Sequence, residues 1–170
     1  VTLAALNAAP LADATAAFER CCGARAWVDA MLASRPFADR AALHAAAERA
    51  WDDAGPEGWR EAFAHHPRIG ELAALRERFA STAGWAGREQ AGAAAADDAT
   101  LEAFAGANRD YEARFGHIFI VCATGRSAAE MLALLHARMA NDPGTELRVA
   151  AGEQLAITRL RLDKLLEEGS

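Results

Sequence analysis

Apolar side chains return every three or four positions along most of this chain, the spacing of helices with one buried face. After a short turn of helix at Leu3–Asn7 and a stop at Pro10, Leu11, Ala14, Phe18 and Cys22 form the first clear stripe, which Gly23 ends. Trp27 and Met31 mark a second helix between Ala24 and Leu32. Arg35-Pro36-Phe37 breaks the chain, and Asp39 is placed to cap a helix from Arg40 to Trp51. Ala42, Ala46 and Ala50, with Leu43 and Ala47, give that helix a slim face suited to close packing. Gly55-Pro56 predicts a turn, with Pro56 at the first position of a helix that reaches Ala64.

Further on, Leu72, Leu75 and Phe79 predict a helix over 71–79, and another covers about 86–96. Asp97 or Asp98 caps a long segment from Leu101 through Tyr111 to Phe115. Ile118-Phe119-Ile120-Val121-Cys122 is the one β-prone run. A lone strand has no sheet to join, so this run is expected to be a buried extended piece or a strained continuation of helix. Ser127-Ala128-Ala129-Glu130 is a capping box opening a helix to Met139, and Asn141-Asp142-Pro143-Gly144 restarts the chain for a last helix to about Glu167. With no repeat and no linker that would mark a second domain, the pattern predicts an all-α, single-domain bundle of about eight helices spanning residues 1–170.

Charge and cysteine usage narrow the functional classes. Lys and Arg number 18 against 24 Asp and Glu, a net charge of −6, which offers neither the basic stripe of a nucleic-acid binder nor a polybasic membrane anchor. Cys21 and Cys22 are adjacent and Cys122 is distant, a spacing that makes neither a disulfide framework nor a zinc pattern. Val1-Thr2-Leu3 lacks the charged-then-apolar character of a signal peptide, and no apolar run reaches membrane-spanning length. The expectation is a soluble cytoplasmic domain in a reducing compartment.

Chemistry concentrates at Ala64-His65-His66-Pro67. Pro67 must stop the preceding helix, and its ring pushes His66 out of helical geometry, so that imidazole projects from the helix end. Such a side chain titrates near neutral pH and suits acid–base work; the ordinary alternative is a capping His at a helix C-terminus. Glu89 stands near a helix start, but the Ser or Thr that a capping box needs is Ala86, so the usual structural role is half missing. Amides at that helix start, with Gly87 permitting close approach, suit a carboxylate or phosphate. On the last helix, Leu147, Ala150, Gln154, Ile157, Arg161 and Leu165 share one side, and Arg161 there either snorkels or pairs with an anion. Tyr111 reads as core, and His44 and His136 as ordinary residues of alanine-rich helices. Arg159 reads as solvated, and His117 as a buried His or a second imidazole of a site. No cysteine has a nearby His in sequence, which argues against a thiol nucleophile. The backbone break separates His65 from His66, which argues against a metal site.

Taken in order, these segments resemble the OHCU decarboxylase family of purine catabolism. The resemblance is carried by Leu6-Asn7, Arg35-Pro36-Phe37 and His66-Pro67-Arg68-Ile69-Gly70. It continues through Arg88-Glu89-Gln90-Ala91-Gly92, Asn108, Tyr111, Phe115-Gly116 with Phe119-Ile120-Val121, and Leu160-Arg161-Leu162. It implies an all-α homodimer without cofactor that decarboxylates 2-oxo-4-hydroxy-4-carboxy-5-ureidoimidazoline (OHCU) to (S)-allantoin in uric acid degradation. Carried over by position, it implies His66 as the catalytic acid–base and Glu89 as its partner carboxylate. It implies substrate contacts at Pro67, at Ala86, Gly87, Arg88 and Gln90, at Phe119, Ile120, Val121, Cys122 and Ala123, and at Arg161. Where family members often carry Ser three residues before the Glu, this chain has Ala86, so one hydroxyl contact or the helix cap is missing. Two other readings stand beside this one: a non-catalytic helical binding module, and a different His/Glu acid–base enzyme acting on a related ureide.

Overall fold

A computed structural model describes residues 1–66 and 98–167. Every regular element among them is a helix: α1 (Leu3–Ala8), α2 (Leu11–Cys21), α3 (Arg25–Ala33), α4 (Arg40–Ala64), α5 (Asp98–Phe115), α6 (Ala128–Arg138) and α7 (Pro143–Glu167). The chain is all-α, as the periodicity predicts. The expected helices over 71–79 and 86–96 lie outside the described residues. No helix among those described is long and apolar enough to cross a membrane. The chain divides into two compact units, Val1–His66 with Ala151–Ser170, and Pro67–Ala150.

In the first unit α3 packs on α2 and α4. Phe18 meets the edges of Trp27 and Phe37 at centroid separations of 6.0 and 6.3 Å. Each buried indole needs an acceptor. Trp27 Nε1 donates to the Ala47 carbonyl on α4 (3.0 Å), and Trp51 Nε1 donates to the Ala151 carbonyl on α7 (3.1 Å). Asp39 caps α4 as expected, accepting from the Ala42 N–H at 2.7 Å. The predicted break at Gly55-Pro56 is a kink: Gly55 takes φ 59°, ψ −168°, a conformation open to glycine, while the helix resumes at Pro56. The segments around Asn7 and Arg35 meet in space. Asn7 exchanges two hydrogen bonds with the Phe37 backbone (2.8 and 2.9 Å), and Arg35 donates to the Leu6 and Ala9 carbonyls.

In the second unit α5 packs on α6 around Tyr111, Phe104, Met131 and Leu135. Residues 118–123 take neither helix nor strand, and Phe119, Ile120 and Val121 are buried, so the β-prone run is not a continuation of helix. Ser127 and Glu130 form the full capping box at the start of α6. The bond from the Ser127 N–H holds the Glu130 carboxyl below its ordinary range. Its contribution is therefore present above the unfolded pKa and lost as pH falls through the folded one. Ser127→Ala is expected to cost about 1 kcal/mol at neutral pH, read as a lower urea midpoint at unchanged m-value.

Candidate active site

His66 stands just past the end of α4. His65 is the C-cap with φ −80°, ψ −10°, and the His66 N–H closes the last turn on the Phe63 carbonyl at 3.1 Å. Pro67 has no N–H with which to continue the ladder. The two imidazoles then part, as the break in backbone direction predicts. His65 is exposed and lies over Gly23, where an added Cβ would stand 2.4 Å from its Cγ. Glycine is needed there for space. The His66 ring, half-buried, turns to α7 and is hydrogen-bonded through Nε2 to Gln154 Oε1.

Gln154 and Thr158 are each 1% exposed, two polar side chains buried among Ala150, Ala151, Leu162 and Leu165. Gln154 Nε2 donates to Thr158 Oγ1 at 3.2 Å, and the Thr158 hydroxyl in turn meets the Cys22 sulfur. A helix advances about 100° per residue, so Gln154, Thr158 and Arg161 share one face of α7. Arg161 is half-buried and donates through Nη1 to the Cys21 carbonyl at 3.3 Å. The ends of α2 and α4 and the middle of α7 thus bring an imidazole, a guanidinium and a buried amide together. Glu61 adds a carboxylate on the same side, accepting from the Arg25 N–H at 3.1 Å and acting on Cys22.

Burial pushes both the Cys21 and the Cys22 thiol up to about 11, outweighing the opposing pull of Arg161. Both are thiols at neutral pH, in keeping with the expectation against a cysteine nucleophile. Among the described residues, no three His, Cys, Asp or Glu side chains come together as a metal site would require.

Pro67, Ala86, Gly87, Arg88, Glu89 and Gln90 lie outside the described residues. Phe119, Ile120 and Val121, in the second unit, are buried, while Cys122 and Ala123 are half-buried. What holds this stretch is a buried polar cluster that leaves no mark in the sequence pattern. Arg138 donates through Nη1 to the Ile120 carbonyl (2.8 Å) and lies over the Phe119 ring at 4.5 Å. It is paired with Glu146, which is wholly buried and also accepts from Asn141 (2.8 Å) and from the Tyr111 hydroxyl. Burial, reinforced by Glu146, pushes the Tyr111 phenol well above its ordinary range, so it remains a donor. Tyr111 is core, as predicted, and a hydrogen-bonding member of it.

The remaining candidates lie apart from this arrangement or have structural partners. His44 pairs with Asp163 at 2.8 Å, His136 is exposed, and Arg159 is exposed beside Glu48 at 2.8 Å. His117 is half-buried, its ring 5.6 Å from that of Tyr111. The stripe on α7 needs one correction. Ile157 is half-buried, whereas Thr158 and Leu162 are fully buried, because the inward face follows 154, 158 and 162 in steps of four. Gln154 falls within the predicted stripe but has no role there. Its amide among alanines and leucines is the one signal that could have singled it out.

Comparison with known proteins bears on this arrangement. The description of the OHCU decarboxylase family matches residues 7–163. The uric acid degradation bifunctional protein TTL of Arabidopsis thaliana is 37% identical over 151 residues, which cover 87% of this chain and 46% of that protein. The chain therefore spans about half the length of that relative. The 2-oxo-4-hydroxy-4-carboxy-5-ureidoimidazoline decarboxylase of Amia calva is 31% identical over 140 residues, 81% of this chain and 78% of that one. A crystal structure of OHCU decarboxylase in the presence of (S)-allantoin matches with a TM-score of 0.71 at 34% identity, covering 88% of this chain and 96% of that chain. A crystal structure of (S)-allantoin synthase matches with a TM-score of 0.72 at 20% identity, over 98% of this chain and 54% of that chain, a likeness of fold alone.

Proposed function

The chain belongs to the OHCU decarboxylase family, and from that premise we propose that it converts OHCU to (S)-allantoin, with His66 as acid–base and Glu89 as its partner carboxylate. The observation that carries this reading is the half-buried His66 ring at a proline-terminated helix end, bonded to α7 on the face that also presents Arg161. Loss of CO2 breaks the bond between the ring carbon and its carboxylate and leaves the electron pair on carbon. The adjacent C=N of the substrate ring accepts that pair, so the reaction calls for no external electron sink. What it needs is an oriented ring, a carboxylate turned out of conjugation and two managed protons. His66 handles the proton of the ring hydroxyl, and it or Glu89 then protonates one face of the carbanion-like intermediate, which sets the chirality.

Arg161 suits the anionic carboxylate or the ureido oxygen, at roughly 1.5–3 kcal/mol for a charge-assisted bond. Pro67, the backbone at Ala86, Gly87, Arg88 and Gln90, and the stretch from Phe119 to Ala123 complete the substrate contacts in this proposal, with Ala86 contributing no hydroxyl. The reading includes a homodimer working in the cytoplasm. The substrate also decays without catalysis, so chirality is a sharper readout than its disappearance. With the protein added to a freshly generated uric acid oxidation mixture, circular dichroism is expected to rise rapidly to the (S)-allantoin signal. A trace identical to the protein-free mixture would reject the proposed activity.

A further inference from the structure

We propose that Gln154 is a positioning residue for this reaction, fixing which nitrogen of the His66 ring carries the proton and where the other nitrogen points. The inference rests on the reading of His66 as the acid–base residue and adds to it a buried device that orders the ring.

Gln154 is 1% exposed, on a helix face where Ala150, Ala151, Leu162 and Leu165 are buried with it. An amide in such a place is costly unless both of its ends are bonded. Its oxygen faces His66 Nε2 and its nitrogen donates to Thr158 Oγ1 at 3.2 Å. Thr158 is 1% exposed too, and its hydroxyl continues the chain to the Cys22 sulfur. A carboxamide oxygen has no proton to give, so the hydrogen of the ring bond belongs to His66 Nε2. In the neutral ring the lone pair is then on Nδ1, which is the basic atom. In the imidazolium, Nδ1–H is the proton that can be returned. With the amide turned over, its NH2 would face the ring and place the lone pair on Nε2. Its oxygen would then accept the Thr158 hydroxyl proton, which would no longer be available to the Cys22 sulfur.

The orientation the amide takes, with Nε2 on Thr158 and Oε1 on the ring, goes with one tautomer. Because Gln154 is one of the most deeply buried side chains of α7, the ring is held against a rigid element. Such restraint matters most for a step in which the proton must reach a single face of a planar carbon. Substrate affinity belongs to other groups, among them Arg161. Losing Gln154 therefore acts on kcat and on chirality more than on KM.

The test uses the full chain with 15N-labelled histidine, the His66 signals being assigned by their loss in His66→Asn. At a pH where the ring is neutral, a pyrrole-type Nε2 and a pyridine-type Nδ1 are expected. The reverse assignment would overturn the proposal. Gln154→Leu keeps the bulk and removes the acceptor. It is expected to mix the two ring forms, to lower kcat about 10–100-fold with KM within about twofold, and to reduce the optical purity of the product. Gln154→Glu restores an acceptor at the same place and is expected to recover most of kcat. Its pH profile should move upward, since the new carboxylate favours the imidazolium while the neighbouring Glu61, Arg161 and His65 are unchanged. Thr158→Val frees the amide from behind and should act in the same sense as Gln154→Leu but more weakly, a check that does not depend on how Gln154→Leu folds. An unchanged kcat and unchanged ring spectrum in both Gln154→Leu and Thr158→Val would sink the inference even if the parent protein makes (S)-allantoin. A parent protein that makes none would remove the functional reading, whereas the nitrogen spectra would still report on the amide.

Discussion

Replacing His66 with alanine is expected to slow formation of (S)-allantoin by about 10²–10⁴-fold, the usual weight of one positioned acid–base group. The optical signal should then grow no faster than in the protein-free mixture, while OHCU is still consumed by its spontaneous decay. The ring is only half-buried, so its removal leaves the helical core in place. It does strip Gln154 Oε1 of its partner inside a buried face, at a cost of about 1–3 kcal/mol of stability. Far-ultraviolet dichroism and a urea titration separate the two effects. A folded His66→Ala protein that forms (S)-allantoin at the parent rate would remove His66 from the mechanism.

The second large effect is expected in the other unit, at a pair of charges with little access to water. Arg138 is 8% exposed and Glu146 is fully buried, and the guanidinium also serves the Ile120 carbonyl. Arg138→Met would leave a buried carboxylate with only Asn141 and the Tyr111 hydroxyl as donors. The expected loss is about 3–5 kcal/mol, of which most is the cost of the charge left behind. For a chain of this size that corresponds to a fall in Tm on the order of 10 °C. The double variant Arg138→Met with Glu146→Leu removes both charges and should recover part of that loss, because an apolar pair of similar volume avoids the desolvation penalty. A double variant no more stable than Arg138→Met would show that the uncompensated charge is not the cause. The stretch from Phe119 to Ala123 is tied to this cluster through Ile120, so Arg138→Met is also expected to weaken any substrate contact made there.

Local signals in the chain are strong where one residue type has one physical consequence. A proline after a helical run ends that run, so the residue order alone marks His66, just before Pro67, as a side chain projecting from a helix end. Ser127 with Glu130, Asp39 before Arg40 and Gly55-Pro56 each carry their own start or stop. The single β-prone run, lacking a partner strand, can only be a buried extended piece or strained helix. Long-range polar partners leave no such trace. Arg138 near a helix C-terminus and Glu146 near a helix N-terminus each look like ordinary complements to helix dipoles. Only the turn between α6 and α7 makes them face one another inside the core.

By itself, then, the order of apolar positions, prolines and caps determined an all-α chain, most of its helix boundaries and the place where an imidazole leaves its helix, because each of these depends on neighbours within a turn. Tertiary structure alone decided that Gln154, 88 residues away, meets that imidazole, that Thr158 and Cys22 back the amide, and that Arg161 shares their face. Those pairings arise from the packing of α2, α4 and α7, and a buried amide among alanines and leucines names no partner until the helices that cover it are in place.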